Sequence, residues 1–451
     1  MKKLSYMILI GMLNFLLGGC SKEWLEKKQD VKLIVPTTLN DLDMLLNTGF
    51  DSDGRGSTEN STDEAVYTLD QFNALNYSFQ RSLATWSVNE FEQFSPDQNE
   101  WDIAYKQIQT CNVVLKALEK VNRTKENADL YDRIKGTALY HRSRQYLNVA
   151  MTFCKYYEPS SATKDLGIPL KFSDDIDEPI VRSSLEQTYK RIVEDLKLSG
   201  LLLPIQKLSY THIAKGGAYA LLSRSLLFMD KFQEAKAAAD SSFAYHYFIE
   251  DYNTINSVPS RPLNIQSKEM HIPINPNMPV GYPTRARINE ELYNSYDQND
   301  LRKVLFFKKE ADGMFSFRGH YLAAMFSGTS TPEVLLIGAE CRVRLGDVNG
   351  AMDLLNLFLK KRFKNGTFMP LAAKNKEEAL DIVLQERRKE LLTRCLRWQD
   401  LKRLNRDPRY AKTLERIIGT QTFKLPPNDA RYVLPIPQYI INYNGIEQNE
   451  Y

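Results

Sequence analysis

The sequence predicts a mainly α-helical protein, built from helical hairpins and interrupted by long irregular insertions that carry a few short strands. Three observations predict this. Apolar residues recur at three- and four-residue intervals over long windows. Two distant segments share one spacing of small and turn residues. Prolines and aromatics gather in two stretches, near 48–96 and 245–330, that lack a long helical period. With 43% hydrophobic and 25% charged residues, the 451-residue chain can bury a large core and is neither a disordered nor a polytopic membrane protein. Lys and Arg (59) nearly balance Asp and Glu (56), so net charge names no nucleic-acid partner.

Residues 1–19 read as a secretory leader: Lys2 and Lys3 precede an apolar run from Leu4 to Leu17, followed by Gly18 and Gly19. The run is shorter than the roughly 20 residues of a permanent membrane span. Leu17-Gly18-Gly19-Cys20 resembles a lipoprotein cleavage site, which makes Cys20 the expected lipidation site and residues 20–451 a single anchored domain. Cys111, Cys154, Cys341 and Cys395 lie at apolar positions of helical patterns and are expected as buried core thiols.

Trp101, Ala104, Tyr105, Ile108, Cys111, Leu115 and Leu118 mark the buried face of one helix, with Asp97 as its expected cap. A second helix is expected over 127–157. Ser183 and Glu186 have capping-box form, opening a helix with Tyr189, Ile192, Val193 and Leu196 inside and a stop near Gly200. In the repeated pattern, Ser223, Asp230 and Ala235 match Ala339, Gly346 and Ala351 residue for residue. Small residues let antiparallel helices approach, and the central residue makes the turn. The spacing resembles part of a tetratricopeptide hairpin, here as hairpins separated by insertions rather than a continuous solenoid.

Catalytic templates are missing. The chain has no GxSxG, HExxH, GxxxxGK[ST] or GxGxxG, and its five histidines lack metal-ligand spacing. Asp51-Ser52-Asp53-Gly54 only faintly echoes a calcium loop and reads as a solvated one. A glycoside hydrolase would need two carboxylates facing across a cleft, and no Asp or Glu stands in such a context. No cofactor or metal is expected.

Several segments together carry a family resemblance: WDIAYKQIQTCN at 101–112, LGIPL at 166–170, the 182–204 stretch ending in LLLP, IGAECRVRLGD at 337–347, QERRKELLTRCLRWQDLKRL at 385–404 and YVLPIPQYIINYNGIEQNEY at 432–451. The chain resembles the SusD/RagB family of outer-membrane glycan-capture lipoproteins of Bacteroidetes. The resemblance implies a non-enzymatic, surface-exposed lipoprotein that binds oligosaccharide and delivers it to a SusC-type TonB-dependent transporter; a peptide- or glycoprotein-binding lipoprotein on the same scaffold is the alternative. The family pattern has Glu-Gly where this chain has Arg394-Cys395. The segment 385–404 is nonetheless expected as one helix, with Arg394 pairing to Glu390.

A sugar site needs flat aromatic rings beside amides or carboxylates. Trp86 with Asn89 offers both within the first insertion, and Tyr77 and Tyr282 are further candidates. Trp24, Trp101 and Trp398 read as structural, and Arg387, Arg388 and Asp400 as ionic ties within the C-terminal helix rather than catalytic groups.

Overall fold

Helices dominate because the apolar stripes can be buried only by stacking one helix on the next. A computed structural model of the protein describes residues 38–53, 56–87, 99–175, 177–276, 286–322 and 325–450, and Leu39–Tyr451 form one compact unit. Among the described residues the first helices are the short α1 (Leu39–Leu46), α2 (Leu69–Asn73) and α3 (Ser78–Thr85). The scaffold follows as α4 (Glu100–Leu118), α5 (Ala128–Phe153), α6 (Leu185–Leu202), α7 (Lys215–Leu227) and α8 (Phe232–Tyr245). After the second insertion, which holds α9 (Glu290–Asn294) and α10 (Arg302–Phe306), come α11 (Thr331–Arg344), α12 (Val348–Leu359), α13 (Lys376–Glu390) and α14 (Arg397–Leu404). The last helix is α15 (Gln438–Asn444).

Each scaffold helix from α4 to α8 packs on its successor, and α8 then packs directly on α11. The hairpins that the chain order separates are therefore contiguous in space. Where α7, α8 and α11 meet, Ala220, Ala239 and Val334 are fully buried. Both hairpins turn as the spacing requires: Asp230 (φ 56°) and Gly346 (φ 92°) occupy the left-handed region, while Ser223, Ala235, Ala339 and Ala351 are fully buried.

Among the described residues ten short strands form five two-stranded ladders. The ladder of β3 (Leu166–Pro169) with β4 (Arg182–Ser184) explains one glycine. A Cβ on Gly167 would lie 2.5 Å from the Ser184 carbonyl oxygen and collide with Thr188 Oγ1. The sequence around His271–Ile274 suggests a short strand, but His271 and Ile272 lie in a bend; Met270 bridges Ser330, and the strand β5 (Asn275–Pro276) begins only after Ile274.

Local details correct several sequence expectations. The α4 cap is Asn99, whose Oδ1 accepts from Asp102 N at 2.9 Å; Asp97 lies outside the described residues. The α6 capping box is Ser184 with Gln187, one residue later than expected, because Ser183 Oγ instead donates to the Ile168 carbonyl. Asp53 does not sit in a solvated loop; it is buried and accepts from Ser327 Oγ at 2.9 Å and Asn148 Nδ2 at 3.2 Å.

The largest correction concerns 385–404. The helix breaks between α13 and α14, with Thr393 (φ 58°) and Cys395 (φ 57°) in the left-handed region. Glu390 is taken by Arg302 and Arg362, and Arg394 instead lies over the Tyr321 ring at 4.2 Å. The four described cysteines are buried, and no disulfide joins them. Trp101 and Trp398 are buried, as expected for structural residues.

Candidate functional site

The first insertion is held by charge. Asp63 accepts from Arg397 at 2.7 Å, from Arg388 at 3.0 Å and from Lys412. Arg416, in the strand Leu414–Ile418, donates to the carbonyls of Asn60, Thr62, Ala65 and Ala84. One guanidinium, rigid and forked, thus ties the 60–65 segment to the last turn of α3. Arg387 ties to Asp400 at 2.9 Å inside the C-terminal segment, as expected, whereas Arg388 reaches out of that segment to Asp63 in the first insertion.

Trp86 caps α3 in the left-handed region (φ 54°), and its indole N–H donates to the Ser61 carbonyl at 2.9 Å. It is 5% exposed, packed with Trp398, Leu401, Leu414, Leu425 and Tyr432. Arg416 covers its ring at 5.0 Å. The expectation of an open stacking platform at Trp86 is corrected: both the ring and its polar edge serve the core. Asn89, Tyr282 and Cys20 lie outside the described residues.

The second insertion is stitched to the first. β1 (Ser52–Asp53) pairs in parallel with β5, and β2 (Ala65–Val66) pairs antiparallel with β6 (Arg287–Ile288). Asn289 N donates to the Glu64 carbonyl at 2.9 Å. At the surface of this junction Asp312 accepts from Gln71 Nε2 and Arg287 Nε, both at 2.9 Å. Sequence reasoning missed this trio because its members are up to 241 positions apart and belong to no local motif.

Most aromatics of the second insertion are interior. Tyr296 donates to the Lys389 carbonyl, and Tyr321 to Glu269. Tyr293 stacks on Phe315 at 3.6 Å. Tyr77 differs: it is 45% exposed, and Phe79 alone among the described residues stacks beside it, at 5.5 Å. Of the expected binding residues within the described part, Tyr77 is the one that presents a ring to solvent.

The junction is electrically polarised. Although burial opposes ionisation, the cations beside Asp63 hold its carboxyl well below the usual carboxylate range. Burial, and Glu59 beside it, push Glu64 well above that range. Burial also pushes His141 and His271 well down, and His320 to about 3. No group of three potential metal ligands occurs among the described residues, and no described helix is long and apolar enough to cross a membrane.

A helical scaffold thus holds two insertions joined by short strand pairs and by the Gln71–Arg287–Asp312 trio, the kind of loop assembly on a rigid frame where recognition is commonly carried. Residues 23–227 match the family model described as starch-binding, associating with outer membrane, and residues 331–451 match the SusD family model. The chain belongs to the SusD/RagB family. Among solved structures, a SusD superfamily protein of Bacteroides thetaiotaomicron is 22% identical, with coverage of 92% of this chain and 100% of that one and a TM-score of 0.69. A SusD superfamily protein of Bacteroides vulgatus is 18% identical over 91% and 98%, with a TM-score of 0.71. A putative sugar binding protein, also of Bacteroides vulgatus, is 18% identical over 92% and 98%, with a TM-score of 0.69. No curated protein matches the chain.

Proposed function

We propose that this chain captures oligosaccharide on the surface formed by its joined insertions and delivers it to a SusC-type TonB-dependent transporter. It binds and does not cleave. Cys20, lipidated after removal of residues 1–19, holds the protein at the outer membrane with its body exposed outside the cell. The lipid tether keeps the binder beside its channel, so capture and handover take place at high effective concentration.

The observation that carries the reading is Tyr77, an exposed ring on an insertion that also supplies Gln71 to the polar trio. A sugar presents C–H faces and hydroxyl rims, and these two kinds of group complement them. Native gels cast with different polysaccharides test it, alongside a melting assay with a peptide pool. Retardation on one glycan is expected. Stabilisation by peptides alone would replace this reading with the peptide-binding one.

A further inference from the structure

A cavity of about 480 Å³ lies between the 155–166 segment, the end of α14, the 428–433 turn and the C-terminal tail. That volume is within the roughly 300–1,000 Å³ range of small-molecule sites. Three buried polar side chains line it: Lys402, Asn405 and Tyr432 are each less than 5% exposed. Lys402 Nζ donates to the Met151 carbonyl at 2.9 Å and the Cys154 carbonyl at 2.7 Å, which uses two of its three hydrogens. No carboxylate among the described residues lies within ion-pair distance of it. Asn405 and Tyr432 are within reach of each other but not in hydrogen-bonding geometry, so the amide nitrogen and the hydroxyl lack full partners.

A buried cation without a counterion is costly, and here two further uncommitted polar groups line the same cavity. Burial lowers the Lys402 ammonium to about 8, which leaves it mostly charged at neutral pH. Stacking is not on offer. The Tyr432 ring is stacked on Trp398 at 4.7 Å, and the Arg406 guanidinium covers the Tyr156 ring at 4.9 Å. Recognition here rests on charge and hydrogen bonds. The other walls carry acceptors, the carboxylates of Asp165, Glu447 and Glu450. With Lys155, Lys164 and the Arg406–Glu158 pair also on the walls, the lining mixes acceptors and donors, which suits a ligand with an anionic group and several hydroxyls. The tail wall is fixed, since Asn449 Nδ2 donates to the Phe153 and Leu434 carbonyls.

We infer that Lys402, Asn405 and Tyr432 form a second site, which takes the carboxylate of an acidic sugar residue such as a uronic acid. The site lies apart from Tyr77 and can fail or hold independently of it. Ligand-observed NMR titration of the purified protein with glucuronate, glucose and glycylglycine tests it. Glucuronate should bind at least about tenfold more tightly than glucose, and Lys402→Met should remove about that factor. Tyr432→Phe, which keeps the stacked ring, should weaken glucuronate several-fold with the melting temperature unchanged, while Tyr77→Ala should leave it intact. The inference falls if glucose matches glucuronate or if Tyr432→Phe binds as the parent does. It falls equally if glycylglycine binds as tightly as glucuronate, which would make the site one for peptide C-termini. Should Lys402→Met fail to fold, Tyr432→Phe decides.

Discussion

Arg416 lies over the indole of Trp86, its guanidinium carbon 5.0 Å from the ring centroid, and donates to four carbonyls of the surrounding loop. The ring and the cation are mutual supports: the indole fills the space against Trp398 and Leu425, and the guanidinium satisfies backbone groups that the loop would otherwise bury alone. Trp86→Ala should therefore destabilise the fold by about 3–5 kcal/mol, measured by urea unfolding. A variant with near-parental stability but lost glycan binding would restore Trp86 to the ligand surface.

Cys395 stands at φ 57° in the break between α13 and α14. In a helix interior alanine is favoured over glycine by about 1 kcal/mol, whereas a left-handed position reverses the order by a similar amount. Cys395→Gly should thus be more stable than Cys395→Ala by about 1 kcal/mol in denaturant melts. The opposite order would mean a continuous helix.

The repeated hairpins were legible because their determinants are local: Asp230 and Gly346 each need only a left-handed turn between small residues a few positions away. The break at Cys395 was not legible, since the flanking segments keep a helical period and the reason to stop is distant. Glu390, expected to pair along the helix with Arg394, is claimed by Arg302 and Arg362 from other elements. Trp86 shows the same limit at the candidate site. Its neighbours in sequence marked an aromatic insertion, but its face is closed by Arg416, 330 positions away. Tyr77 stays open because no distant residue among those described covers it to that extent.

Glu64 and Asp63 respond to pH in opposite senses. The carboxyl of Asp63 is depressed, so its contribution is present above the ordinary carboxylate value of about 4 and is lost as pH falls through its lower native value. Glu64 is raised, so the native state holds its proton more tightly, and stability declines as pH rises from about 4 towards the native value. Glu64→Gln should raise the melting temperature by several degrees at pH 8 and leave it nearly unchanged at pH 4. Equal shifts at both values would show that Glu64 is not held protonated.

The proposed anchor depends on the thiol of Cys20 carrying acyl chains. More than one chain, at about 0.8 kcal/mol per buried methylene, makes membrane residence effectively permanent. Cys20→Ala should move the protein from the membrane fraction to the soluble one and abolish labelling by an alkyne fatty acid. Unchanged fractionation and labelling would refute lipidation at this position.

Tyr77 tests the binding surface itself. The ring is exposed, and the polar tie at this helix start comes from the backbone, Tyr77 N–H donating to Gln80 Oε1 at 3.3 Å, so removal of the side chain leaves that bond in place. Stacking of a sugar on such a ring contributes on the order of 1 kcal/mol beyond area. Tyr77→Ala should weaken retention on the recognised glycan by about tenfold while moving the melting temperature by less than about 2 °C. Asp312→Asn, which keeps the shape of the trio but removes its charge, should add to the loss if the sugar spans the junction. If both variants run as the parent does in glycan gels, the ligand lies elsewhere on the protein.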